Sequence, residues 1–223
     1  MSKNILEVDS VRKHFENKLI VSDVYLKCET GEIIGLLGRN GSGKSTLLRI
    51  IFGIVSAENK CIRINGAVKN KTSDILKEIS YLHQEQFIPN HFSVKKAISL
   101  CINYEIMNEF LDDYLIQDIL YKKVSHLSTG ELRYLEIKLV LYNSSKFVLL
   151  DEPFNGLSPI MIEKVIYLIQ MNAFKKGIII TDHDYENVIG IATQILLMKD
   201  GKIHTIKNKT ELIEKSYLSP NHF

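Results

Sequence analysis

The sequence predicts an α/β fold whose core is a parallel sheet. Three observations predict it. Short apolar runs of strand length recur at Ile33–Leu37, Phe147–Leu150 and Gly177–Thr181, a glycine-rich loop follows the first of them, and helical stretches with apolar faces lie between them. At 223 residues, 45% hydrophobic and 24% charged, the chain is long enough for one sizeable core with a small inserted subdomain. A net charge of +2 gives no global basic field, so nucleic acid is not an expected partner. No apolar run reaches the ~18–20 residues that span a bilayer. Met1-Ser2-Lys3-Asn4 leads straight into a strand-like pattern without a signal-peptide core, so a cytoplasmic chain is expected. Cys28, Cys61 and Cys101 lack the spacing of a metal or disulfide framework and are expected to be small buried hydrophobes.

In chain order, Val24, Leu26 and Cys28 alternate with Asp23, Tyr25 and Lys27, the period of a half-buried strand, and Thr30-Gly31-Glu32 turns it into the apolar run at 33–37. Upstream, Phe15 either stacks on a flat ligand ring or packs in the sheet with Val11. Thr46 to Phe52 carries Leu47, Leu48, Ile50 and Ile51 as a helix stopped by Gly53. Ile62 and Ile64 alternate before Asn65-Gly66, a hairpin signal. Ile79 to Gln84 reads as a strand with a polar exit. From Ser93 to Met107, Val94, Ala97, Ile98, Cys101 and Ile102 have the spacing of one amphipathic helix, and Phe110 to Tyr121 that of a second. Residues 85–126 are therefore expected to form a small helical insertion.

Leu127-Ser128-Thr129-Gly130-Glu131 opens a helix with Leu132, Leu135, Leu139 and Val140 on one face. Phe147 to Glu152 is a buried strand ending in two carboxylates. Ser158-Pro159 starts the next helix, with Ser at the N-cap and Pro at the first helical position. Asp182-His183-Asp184 leaves the strand at 177–181, Ile195–Met198 and Lys202–Ile206 form a hairpin, and Thr210 caps a short final helix.

The stretch Gly38-Arg39-Asn40-Gly41-Ser42-Gly43-Lys44-Ser45 fits Gly-x-x-x-x-Gly-Lys-Ser, the P-loop pattern. Glycines let successive backbone N–H groups face inward around a polyphosphate. Lys44 would reach the β- and γ-phosphates, and the Ser45 hydroxyl would be a ligand of Mg²⁺. Strand, loop and helix occur in the confirming order, which predicts binding of a nucleoside triphosphate.

Together these residues resemble the nucleotide-binding domain of the ATP-binding-cassette superfamily over the whole chain. The resemblance implies a single domain over 1–223, with a P-loop NTPase (RecA-like) parallel-sheet core, an N-terminal antiparallel β layer and the helical subdomain at 85–126. It implies ATP and Mg²⁺ as ligands. Phe15 matches the adenine-stacking aromatic; Gly38, Asn40, Gly41, Ser42, Gly43, Lys44, Ser45 and Thr46 the Walker A loop; and Gln84 the Q-loop glutamine at the metal and the attacking water. Ser128 and Gly130 match the signature motif that approaches the γ-phosphate, Asp151 and Glu152 the metal-binding aspartate and the catalytic glutamate of Walker B, and His183 the switch histidine. Thr129 and Glu131 depart from the commonest Leu-Ser-Gly-Gly-Gln, and Ser158 stands where the family usually has Asp. The family implies a head-to-tail homodimer with ATP at two shared sites, driving a separately encoded membrane subunit from the inner face of the membrane. Thr181–Asp184 with the tail Leu212 to Leu218 looks most like ATPases of lipopolysaccharide export and branched-chain amino-acid uptake. A GTP-binding switch is disfavoured because Asn70-Lys71-Thr72-Ser73 misses the base-reading pattern at its last position. Other classes open at this stage are a non-transport cassette and a weakly hydrolysing regulatory one.

Overall fold

The computed structural model describes residues 3–215 and Tyr217, so Leu218 of the tail named above lies outside the described residues. Strands β1 (Ile5–Phe15) and β2 (Lys18–Glu29) pair antiparallel. The buried strand β3 (Ile33–Leu37) runs into helix α1 (Lys44–Phe52), which Gly53 ends with φ 89. The helix begins at Lys44, two residues before the expected start. Strands β4 (Asn59–Ile64) and β5 (Ala67–Val68) turn through Asn65 and Gly66, at φ 53 and 77, as the Asn-Gly pair predicts. A single-turn helix α2 (Thr72–Ile75) leads to β6 (Ile79–Leu82), which stops short of Gln84.

The expected helix over 93–107 is instead two, α3 (Val94–Cys101) and α4 (Tyr104–Leu111), followed by α5 (Tyr114–Ile119). Ile102 is extended (φ −112, ψ 127). A straight helix would carry Met107 about 20 Å beyond Ser93. The break returns Ile106 and Met107 to the core that Val94 and Ile98 enter.

Helix α6 (Thr129–Tyr142) precedes β7 (Phe147–Asp151), and α7 (Pro159–Ala173) precedes β8 (Gly177–Thr181). Leu135, Leu139 and Val140 of α6 are buried and Leu132 packs against them, as expected of one face, and burial extends beyond that face to all of residues 133–141, because α6 lies between the main sheet and the helices of the insertion. Helix α8 (Tyr185–Ile191), the hairpin of β9 (Gln194–Lys199) and β10 (Lys202–Ile206), and α9 (Lys209–Glu214) complete the chain. Asn208, not Thr210, caps α9, accepting from Glu211 N at 3.1 Å. Of the cysteines only Cys28 is buried, while Cys61 is half-buried and Cys101 exposed.

Two sheets result, an antiparallel layer in the order β2-β1-β4-β5 and a main sheet in the order β10-β9-β3-β8-β7-β6. Strands β9, β3, β8, β7 and β6 are parallel, as the α/β reading predicts. Alternation along each strand splits the core in two. Val148, Leu150, Ile178 and Ile180 face α6, α7 and α8, whereas Phe147, Leu149 and Ile179 face α1 and the antiparallel layer. No helix of the described residues is long and apolar enough to cross a membrane.

At the opposite edge from the P-loop, Lys176 is buried with Nζ donating to Asn143 O (2.5 Å) and to Ser145 Oγ (3.3 Å), and among the described residues no carboxylate compensates it. Burial, and then the Lys175 charge, pull its pKa from 10.5 to about 8. Between these two values the unfolded chain binds the extra proton, so the Lys176 contribution to stability rises with pH through that window and is constant below it. Urea midpoints of the wild type should therefore climb relative to Lys176→Met as pH passes upward through the window. A parallel pair of curves would contradict the burial assignment.

Candidate nucleotide-binding site

The parallel strands β3, β6, β7 and β8 end together, which brings Leu37, Leu82, Asp151 and Thr181, and the loops after them, to one edge of the sheet. The loop after β3 is tight. A Cβ at Gly38 would lie 2.6 Å from both Met198 O and Ser42 Oγ, and Gly43 has φ +105 with Ile20 O 3.0 Å from where its Cβ would sit. Helix α1 follows at once, so its free N–H groups and positive dipole end face the loop. Lys44 is buried, yet Nζ donates to backbone carbonyls, Gly38 O at 2.7 Å and Arg39 O at 3.3 Å, rather than to a carboxylate. Burial lowers its pKa against the opposing pull of Glu152 and Asp151. A buried ammonium held only by dipoles is a strong attractor for a polyphosphate.

Beside it, Asp151 is fully buried with both oxygens bonded: Ser45 Oγ donates to Oδ1 (2.9 Å) and Tyr81 OH to Oδ2 (2.8 Å). Gln84 Nε2 reaches Ser45 Oγ at 3.4 Å. These donors are all oxygen-bearing and hard, the set that suits Mg²⁺. Among the described residues no group of three His, Cys, Asp or Glu side chains could hold a metal by itself. A cation fits here as the partner of a bound polyphosphate.

Glu152 follows with φ 53, a left-handed backbone that costs a non-glycine residue about 1–3 kcal/mol. It is held there from both ends. Its N–H donates to Thr181 O at 2.7 Å, and its carbonyl accepts from Arg133 Nη2 at 2.8 Å. The side chain meets His183, with Nε2 2.8 Å from Oε1. Behind them Asp182 accepts from Phe154 N (2.9 Å) and Asp184 N (3.0 Å), fixing the turn after β7 to that after β8.

A cavity of about 310 Å³ gathers Phe15, Asn40, Gly41, Gly43, Lys44, Ser45, Thr46, Gln84, Glu152 and His183. Gly38 forms the floor of the loop, Ser42 lines a neighbouring hollow, and Asp151 sits behind Ser45. Phe15 ends β1 with its ring at the rim, 47% exposed with Lys13 Nζ 5.1 Å over it, rather than packed with the buried Val11. Ser128 and Gly130 do not line the cavity. Ser128 and Glu131 instead close a reciprocal capping box on α6, Ser128 N donating to Glu131 Oε2 at 2.7 Å and Glu131 N to Ser128 Oγ at 3.2 Å. Glu131 also pairs with Lys122 at 2.9 Å.

The family described as ABC transporter matches residues 21–155, which include the P-loop, Gln84, the capping box and Asp151–Glu152. The chain belongs to the ABC transporter family. It is similar to the lipopolysaccharide export system ATP-binding protein LptB of Acidithiobacillus ferridurans, with 29% identity covering 94% of this chain and 92% of that protein. It is also similar to the thiamine import ATP-binding protein ThiQ of Photorhabdus laumondii, with 26% identity covering 90% and 89%. A solved ATP-binding subunit of an ABC transporter superposes with a TM-score of 0.85 at 19% identity, covering 96% of this chain and 94% of that one, which supports the fold.

In this ABC transporter chain, Tyr81, Arg133 and Asp182 belong to the framework of the site although sequence reasoning passed them by. The available signals were a hydroxyl in an apolar strand and charged residues, Arg133 among them, interleaved with the apolar residues of a helix. Burial, and then Asp151, push the Tyr81 pKa up, so its hydroxyl stays a donor. Tyr81→Phe leaves Asp151 Oδ2 without a donor in a dry site and should cost about 1–3 kcal/mol of unfolding free energy, read from denaturant midpoints.

Proposed function

We propose that this chain is the ATP-hydrolysing subunit of an ABC transporter and that two copies close head to tail over two ATP molecules. The observation that carries the reading is the single cavity uniting Lys44, Ser45, Gln84, Glu152 and His183, from which Ser128 and Gly130 are absent. One chain then holds only part of a site, and a second copy would supply the Ser128/Gly130 end.

In this reading the Phe15 ring stacks on the base, the loop N–H groups and Lys44 hold the phosphates, and Ser45, Asp151 and Gln84 hold Mg²⁺. The bound cation supplies charge neutralisation at the phosphate oxygens. Glu152 takes the proton of the attacking water as the γ-phosphoryl group leaves ADP. His183 orients Glu152 through Oε1, leaving Oε2 for the water, and its ring faces the γ-phosphate. The strained backbone at Glu152 aims that carboxylate into the cavity. Residues 85–126 act as the helical subdomain of one ATPase domain spanning the chain.

A groove of about 510 Å³ on the far side of Gln84, between the 86–90 segment, Val124–Leu127 and Asn155-Gly156, is where a segment of the membrane subunit docks. That contact would keep the chain at the inner face of the membrane. Relatives named for export of one cargo and import of another match this chain almost equally well, which argues that cargo is chosen by the membrane subunit.

Glu152→Gln should lower turnover by about 10² or more while ATP still binds, as expected for a positioned general base. Lys44→Ala should weaken ATP binding itself; an unchanged dissociation constant would remove the P-loop from the mechanism. Mixing inactive Lys44→Ala with inactive Gly130→Asp should recover about a quarter of wild-type turnover, because mixed pairs rebuild one good site. No recovery would argue against the shared site.

A further inference from the structure

Arg133 lies on α6 five residues after the N-cap Ser128, outside the nucleotide cavity, and is 7% exposed. Its guanidinium is spread over three backbone carbonyls. Nη1 donates to His83 O (2.6 Å), immediately before Gln84, and Nη2 donates to Asp151 O (3.0 Å) and Glu152 O (2.8 Å). One turn on, Glu136 lies 3.8 Å from Nη1 and accepts from Phe87 N (2.8 Å) and Ile88 N (3.4 Å). Both side chains line the groove beyond Gln84.

We infer that Arg133 and Glu136 are a positioning pair that ties the Gln84–Ile88 segment, the docking groove and the backbone of Glu152 into one unit. The inference rests on the ATPase reading of Glu152. The physical case is the left-handed backbone there. A carbonyl turned by φ 53 needs a fixed donor, and the planar guanidinium fork supplies it from the same group that holds His83. A lysine presents its donors from one nitrogen and does not reproduce the fork whose Nη1 takes His83 O while Nη2 takes Asp151 O and Glu152 O. The Glu136 carboxylate holds the fork in place and at the same time grips two N–H groups of the segment that lines the groove. Movement of Phe87 and Ile88 by a docked partner is therefore delivered to Glu152 through two side chains. Neither touches ATP, so their effect should fall on turnover and not on binding.

The test uses the full chain with Arg133→Lys, Arg133→Met, Glu136→Ala and Glu136→Gln. Arg133→Met and Arg133→Lys should lower single-turnover hydrolysis by about 10-fold or more while the ATP dissociation constant moves less than about 3-fold, the signature of a lost transition-state contribution. Glu136→Gln keeps an acceptor for Phe87 N–H and should retain more activity than Glu136→Ala. In a Glu152→Gln background Arg133→Met should add almost no further loss, because the arginine acts through that residue. A full multiplicative loss in the double variant would show a merely structural role and overturn the inference. Hydrogen exchange reads the tie without activity. Arg133→Met should raise exchange at both 83–88 and 150–155 with the strand cores still protected. Unchanged exchange at 150–155 overturns the inference, whereas absence of hydrolysis in the wild type overturns only the ATPase reading.

Discussion

The Asp151 carboxylate sits at the end of β7, between β8 and β6, with no solvent contact, and the arrangement around it follows from satisfying it. An ionised carboxylate in so dry a place costs several kcal/mol unless donors reach it. Ser45 supplies one donor from the first turn of α1 and Tyr81 the other from β6. These bonds join the P-loop helix, the strand leading to Gln84 and the strand leading to Glu152. Parallel pairing alone would bring the strand ends to one edge. The shared carboxylate fixes their relative depth, which decides whether Lys44, Gln84 and Glu152 face one space.

Framework and chemistry are separated by layers. Residues that face the cavity are held by residues one layer back: Ser45 by Asp151, the Glu152 backbone by Arg133 and Thr181, and the 182–184 turn by Asp182. Burial raises the Asp182 pKa, opposed by the N–H groups of Asp184 and Phe154. A carboxylate that accepts from the loops after both β7 and β8 makes those loops move together. The Glu152–His183 contact at 2.8 Å is a consequence of that coupling as much as of the two side chains.

Much of this was legible in the sequence because it depends on local rules. The P-loop needs glycine where a Cβ would collide, strands buried on both faces read as continuous apolar runs, and Asn-Gly and Asp-Gly turns require positive φ, found at Asn65, Gly66, Asp200 and Gly201. What was not legible depends on distant partners. Cys101 and Ile102 both keep helical spacing from Val94, yet the helix breaks there because Ile106 and Met107 must return to the same small core. Helix α6 shows no clean apolar face because it is covered on both sides, and its buried charged residues are met from other elements: Arg133 by backbone carbonyls of 83, 151 and 152, and Glu136 by the N–H groups of Phe87 and Ile88. Lys138 reaches Asp113, and Tyr134 OH donates to the same carboxylate at 2.7 Å. No window of sequence around Lys138 indicates that an acid 25 residues away will meet it.

Of the three departures, those at 129 and 158 can be weighed on the same physical grounds. Ser158 stands at the N-cap of α7, but its side chain makes no capping bond, so the loop before that helix is not fixed from its own end. It is fixed from behind. Phe154 N is bound to Asp182, and Glu152 O accepts from Arg133, so the loop keeps its path without a charged residue at 158. Thr129 places its methyl against the other side of the same loop, 3.7 Å from where a Cβ of Gly156 would lie, and Leu157 comes within 4.0 Å of a Cβ at Gly130. Thr129 is itself exposed and lines the groove together with Asn155 and Gly156, so the added methyl sits on the groove wall rather than in a packed interior. The start of α6 and the turn after β7 form two walls of one groove, and bulk added at 129 changes the shape of that groove without displacing the Ser128–Glu131 capping box.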